Sequence, residues 1–272
     1  MFLKMVSDLQ SMFLVVNNGM ILQRIKNQTE DICLLAVKEC GLALEFVEHK
    51  TKKIISTALH QNGLALEFVV DQTERQCIKA IRQNYLAIEF VETQTEKICL
   101  IAVQTDYHAF LYAEFQTEEI CLEAVRQNGL FLKHVKDKTE KICYEALNQN
   151  PDALKYVEDQ TKELIMFALS KDYSSFRYVR DKTEEICLTA IENAPSVLEY
   201  IDRQTLNMCS IAVEANVHTF RHAKIQTKEI CLAAVSENSF ALRYIRNQAM
   251  CLEVAKEMGF TLAQTKSYKY SL

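Results

Sequence analysis

Eight cysteines of this 272-residue chain recur in step along it: Cys33, Cys77, Cys99, Cys121, Cys143, Cys187, Cys209 and Cys231. Thiolates bind zinc and carry redox chemistry, so their spacing is the first thing to test. They occupy one position of a 22-residue period. Equivalent residues of stacked helical units stand about 8–10 Å apart. A disulfide needs Cα atoms within about 7 Å, and a single zinc needs thiolates at about 2.3 Å. The two remaining occupants of that position are Ile55 and Ile165, so it asks for a small apolar group, as which free cysteine serves. The expectation is a ladder of core thiols in a reducing, cytosolic setting, not a disulfide framework or metal site. Cys40 lies off the ladder at a turn; a partly buried bystander is favoured there over a reactive thiol.

The histidines are scattered. His134 and His222 occupy a position that elsewhere holds Phe or Tyr, as at Phe46, Tyr156 and Tyr244, so a flat ring is what that position needs. His218 and His222 have i, i+4 spacing, but no third ligand such as a HExxH glutamate accompanies them. No GxxxxGK[ST], GxGxxG or GxSxG pattern occurs, and five glycines offer little material for a phosphate-cradling loop. Acidic pairs such as Glu118-Glu119 and Glu184-Glu185 recur where helices should start, which capping explains. No catalytic residue, cofactor or metal ligand is expected, and the chain is read as non-enzymatic.

The elements that hold these side chains follow from the repeat. Slots are numbered from the Gln or Lys that opens each unit, so that slot two is Thr29, Thr51, Thr73 and onward to Thr227, ten units without a gap. Threonine followed by acidic residues, as in Thr117-Glu118-Glu119, starts a helix: the hydroxyl accepts from an unpaired N–H and the carboxylates suit the dipole. Apolar residues at slots five, six, nine and ten (Ile120, Cys121, Ala124, Val125) gather on one face and predict a helix A of about ten residues. Asn128-Gly129, Asn150-Pro151 and Ala194-Pro195 at slots thirteen and fourteen end it and begin a helix B of about eight residues, with slots seventeen, nineteen and twenty inward. Slot nine is alanine in all ten units, so nothing larger than methyl fits where another element crosses. Helices this short are stabilised only by packing on their neighbours. The fold class expected is all-α: an α-solenoid of about eleven stacked 22-residue helix-turn-helix repeats. A capping partial repeat covers 1–27, with Ser7 in the threonine slot; ten full repeats cover 28–247; a shortened cap covers 248–263, and a tail 264–272.

The net charge of −5 is spread nearly evenly between the halves, which disfavours a general polyanion-binding surface. No signal peptide or apolar run long enough to span a membrane is read. Charge varies most instructively at slot eighteen of helix B: Glu45, Glu67 and Glu89, then, after Leu111, Lys133, Lys155, Arg177, Glu199, Arg221 and Arg243. Slot twenty-one partly follows, with Glu48, Glu92 and Glu114 early and Arg180, Lys224 and Arg246 late. A solvated face whose signs drifted is the bland reading. The functional one is a bipolar ridge that orients an extended partner or a second copy of the chain. A protein partner is favoured, self-association as a structural spacer is the alternative, and RNA, read one base per repeat, ranks third because carboxylates oppose it.

The run Q-T-E-E-I-C-L-E-A-V-R-Q-N-G at 116–129, echoed at 28–41 and 226–238, resembles a helical repeat family of unknown function abundant in giant amoeba-infecting DNA viruses of the mimivirus group. The resemblance covers about 6–263 and implies a viral product acting in the host cytoplasm, packaged in the virion or not, and brings no catalytic residue with it. The chain departs from the pattern at Gln76 in the isoleucine slot, at Leu206-Asn207, and at Ala249, where two residues are missing.

Overall fold

The structure, a computed structural model, describes residues 2–270, with side chains from 8 to 268. It is an all-α solenoid with no strand among the described residues, and its short helices succeed one another with the 22-residue period. Two compact units divide it, residues 1–150 and 151–272. The unbroken period does not announce that division.

The first unit holds α1 (Phe2–Asn17), α2 (Glu30–Glu39), α3 (Lys52–Gln61), α4 (Glu74–Gln83), α5 (Glu96–Thr105), α6 (Glu118–Gln127) and α7 (Glu140–Gln149). The second holds α8 (Lys162–Lys171), α9 (Glu184–Asn193), α10 (Leu206–Ala215), α11 (Lys228–Glu237), α12 (Gln248–Glu257) and α13 (Leu262–Tyr270). From α2 to α11 every helix A is ten residues long and follows its threonine. The hydroxyl of Thr139, for example, accepts from the Ile142 N–H at 3.4 Å. Thr139→Ala is expected to cost about 1 kcal/mol in chemical denaturation. At α4 the glutamine in the isoleucine slot earns its place differently: Gln76 Oε1 accepts from the Thr73 N–H at 2.8 Å and the Thr73 hydroxyl at 2.7 Å.

Helix B is not the eight-residue helix that the sequence suggests. It is a 3₁₀ helix of six residues, as at Gly41–Phe46, Gly63–Phe68 and Pro151–Tyr156, or five at Tyr107–Leu111. Side chains at both ends fit the tighter winding in most repeats, although Pro195–Tyr200, with Ala194 and Lys182 in those slots, winds the same way. The slot-thirteen Asn or Asp accepts from the N–H two residues on, as Asn62 does from Leu64 at 3.0 Å. At the far end, the slot-one glutamine of the same repeat takes the two backbone groups that would continue a helix. Gln72 Nε2 donates to the Phe90 carbonyl at 2.7 Å and its Oε1 accepts from the Glu92 N–H at 3.1 Å. Gln28, Gln94, Gln160, Gln204 and Gln226 repeat both contacts. Gln72, Gln94, Gln160 and Gln204 also reach the slot-seventeen carbonyl of the preceding repeat, which stitches successive units together.

The winding changes which side chains face inward. Slots sixteen, seventeen and twenty are buried, as at Ala43, Leu44 and Val47, whereas slot-nineteen rings such as Phe46 are only half-buried. Slot sixteen was not foreseen. The ends also differ from expectation. Helix α1 runs straight through Ser7, so no helix starts there. Asn247 takes the threonine's role for α12, accepting from the Met250 N–H at 3.1 Å, and so absorbs the two-residue deletion. Gly259, at φ +77°, turns the chain into α13. Helix α13 replaces most of the expected tail: Thr265 is buried and Tyr268 packs edge-on against Phe240, ring centroids 5.3 Å apart.

Candidate interaction surfaces

Each slot-eighteen residue stands fifth in its 3₁₀ helix. Glu45, Glu67, Glu89 and Lys133 in the first unit are exposed, as are Arg177, Arg221 and Arg243 in the second, and Lys155 is half-buried. Within the first unit the three glutamates come together on consecutive 3₁₀ helices that pack on one another. Within the second, Lys155, Arg177, Glu199, Arg221 and Arg243 do the same. With about three residues per turn, slot fifteen lies in line with slot eighteen. It supplies Leu42, Leu64 and Leu86 beside the glutamates, and in the second unit Asp152 and Ser174 beside the first two cations, Ser196 beside Glu199, and His218 and Phe240 beside Arg221 and Arg243. The first unit's row is therefore apolar and acidic, and the second unit's is mostly basic, with Glu199 and the exposed Phe240 along it.

The second unit's cations lie over the rings beside them. Lys155 Nζ is 4.9 Å from the Tyr156 centroid and 5.5 Å from that of Tyr178; the Arg177 guanidinium is 4.8 Å from Tyr178, and that of Arg243 5.4 Å from Tyr244. Arg177 also pairs with Asp152 at 2.9 Å, and Arg221 Nε donates to His222 Nε2 at 2.7 Å. These contacts splay the charged heads along the surface beside half-exposed rings.

Slot twenty-one behaves differently from its sequence reading as part of the same charged face. Arg180 donates to the carbonyls of Glu158 at 3.0 Å and Lys155 at 3.4 Å; Lys224 donates to those of Ile201 at 3.1 Å and Asp202 at 3.0 Å; Arg246 reaches that of Lys224 at 3.4 Å. These cations staple each repeat to the one before it.

The slot-six cysteines are buried and unbridged. Burial pushes up the thiols of Cys33, Cys77, Cys99, Cys121, Cys187 and Cys231, those of Cys121 and Cys231 to about 11, so at neutral pH these six are protonated and poor as nucleophiles or ligands. Burial, helped by Lys133, lowers the His134 imidazole below its usual range, consistent with a packed neutral ring. The His218 and His222 spacing has a different meaning in a 3₁₀ helix, where four residues carry a side chain about a third of a turn off line. Among the described residues, no group of three or more His, Cys, Asp or Glu could hold a metal ion, and no helix is long and apolar enough to cross a membrane.

Sequence reasoning passed over a second charged surface, on the helix A face of α3–α5. A cavity of about 640 Å³ there is lined by Leu59, His60, Glu74, Arg75, Ile78, Lys79, Arg82, Gln83 and Lys97. An adjoining one of about 500 Å³ shares Leu59, Arg75 and Lys79 and adds Lys52, Ser56, Thr73 and Gln76. Slot four carries the signal: Asp31, then Lys53, Arg75 and Lys97, then Glu119.

No curated protein and no solved structure matches the chain. The family model described as a domain of unknown function (DUF4116) matches residues 117–162 and 161–225. Each match opens at the slot-two threonine that precedes a helix A, Thr117 or Thr161.

Proposed function

We propose that this chain is a non-catalytic scaffold that binds another protein along its exposed 3₁₀ ridges. The observation that carries the reading is the second unit's row of Lys155, Arg177 and Arg243 against half-exposed tyrosines. Arginine and tyrosine are the side chains that protein interfaces concentrate, and here both lie outside the packed core. The resemblance to giant-virus repeats suits an encounter in a host cell's cytoplasm.

The test is affinity capture of tagged protein from its native cell, with and without nuclease, beside a variant carrying Lys155→Glu, Arg177→Glu, Arg221→Glu and Arg243→Glu. A nuclease-resistant protein, lost from a variant that still melts with the wild type, is the expected result. Capture that survives the four reversals removes the ridge from consideration, and nuclease-sensitive capture favours RNA. One observation favours self-association as a second reading. The acidic face of the first unit and the basic face of the second are complementary in sign, which suits head-to-tail assembly. Light scattering that rises with concentration and falls with salt would support that reading.

A further inference from the structure

Between α3 and α4 the helix A face sets two cations in slots that elsewhere hold at least one anionic or neutral residue. At three junctions slot three of one repeat pairs with slot four of the next: Glu74 with Lys97, Glu118 with Lys141 at 3.2 Å and, in the second unit, Lys162 with Glu185; Glu96 and Glu119 put two carboxylates in those slots. Between α3 and α4 those positions hold Lys52 and Arg75, two cations, and both line the 500 Å³ cavity. Lys79 joins them, anchored through Nζ to the Ser56 carbonyl at 2.6 Å and the Ser56 hydroxyl at 2.7 Å. No carboxylate lines that cavity. Gln76 contributes an amide where nine other repeats place Ile, Leu or Met, so polarity enters at a normally apolar slot. In the adjoining cavity the one carboxylate, Glu74, is held by Lys97.

The extent of the patch limits what can occupy it. Glu30 and Asp31 open α2, and Glu118, Glu119 and Glu123 lie on α6. The basic face therefore spans three helices, about 20–30 Å at ordinary helix spacing. A long nucleic acid would run onto carboxylates at either side. A short ligand with concentrated negative charge would not. A phosphomonoester carries about −1.5 to −2 charges on three acceptor oxygens, and an arginine fork with two ammonium groups matches that better than it matches a single carboxylate.

We infer that the α3–α4 groove binds the phosphoryl group of a phosphorylated segment of a partner protein, through Lys52, Arg75 and Lys79. The protein nature of the ligand rests on the scaffold reading; the anion chemistry rests on the groove alone.

The test is fluorescence anisotropy with a short peptide pool, degenerate around one phosphoserine, its dephosphorylated counterpart and a short single-stranded RNA. Each is titrated with the wild type, a Lys52→Gln, Arg75→Gln variant and the four-site ridge variant. The phosphorylated pool should bind the wild type and the ridge variant alike. It should bind the groove variant at least about tenfold more weakly, with that variant's melting temperature unchanged and inorganic phosphate competing. Equal binding of both peptide pools, tighter binding of RNA, or indifference to the groove substitutions would each overturn the inference. So would no binding by any probe, and ridge-dependent capture would still judge the scaffold reading separately.

Discussion

Leucine in place of Ala146 is expected to lower the unfolding free energy by about 1–3 kcal/mol or more. Ala146 is fully buried, and its carbonyl accepts from the Asn150 N–H at 2.8 Å to close α7. The crossing element is the start of the preceding 3₁₀ helix: a Cβ added to Gly129 would sit 2.3 Å from the Ala146 carbonyl oxygen. Backbone thus lies against backbone, with the Gln149 amide bound to the Gly129 N–H beside it. Added methylenes must push two repeats apart, and that displacement breaks contacts at both their interfaces. Denaturant melts of Ala146→Leu beside Asn148→Leu, at an exposed position of the same helix, separate overpacking from added hydrophobicity. If both variants melt with the wild type, the close approach at slot nine is wrong.

Slot nine was legible because one residue type recurred ten times, and helix A because threonine caps and a 3.6-residue apolar stripe agree with each other. Helix B was located but given the wrong winding. Its apolar positions fit a short α-helix as well as a 3₁₀ turn, and the partners that suit the turn lie distant in sequence. Gln72 reaches Phe90 and Glu92 from across the repeat, whereas in the sequence it looks like a surface amide. Charges were legible as signs but not as destinations: Arg180 and Arg177 read alike, yet one is spent on carbonyls of the preceding repeat and the other is splayed over Tyr178. The basic groove needed one more fact, that slots three and four of successive repeats meet. With that contact known, Lys52 facing Arg75 stands out against Glu74 with Lys97.

The amide at Gln94 should prove as costly to alter as the alanine crossing. Its Nε2 donates to the Tyr112 carbonyl at 3.0 Å and the Ile88 carbonyl at 3.4 Å, and its Oε1 accepts from the Glu114 N–H at 2.9 Å and the Cys99 thiol at 3.1 Å. Gln94→Ala strands these groups, at an expected cost of about 1–3 kcal/mol. Gln94→Glu keeps the shape and the acceptor but brings no proton for the two carbonyls, so at neutral pH it should be at least as damaging. Burial beside two carbonyl oxygens raises that carboxyl's folded-state pKa above its unfolded value of about 4.3. The native state then takes up the proton first, so the variant regains stability as pH falls through the raised pKa, because a protonated carboxyl donates again. A group of opposite sign is common to both proteins and cancels from their comparison. Hydrogen bonds from the Ser174 N–H and hydroxyl hold the Asp172 carboxyl below its usual range, so its contribution is lost as pH falls through the lowered pKa. The gap in denaturation midpoint between Gln94→Glu and wild type should therefore narrow on acidification. A gap absent at neutral pH, or one that widens in acid, would show that the slot-one amide is not the clamp holding the repeats together.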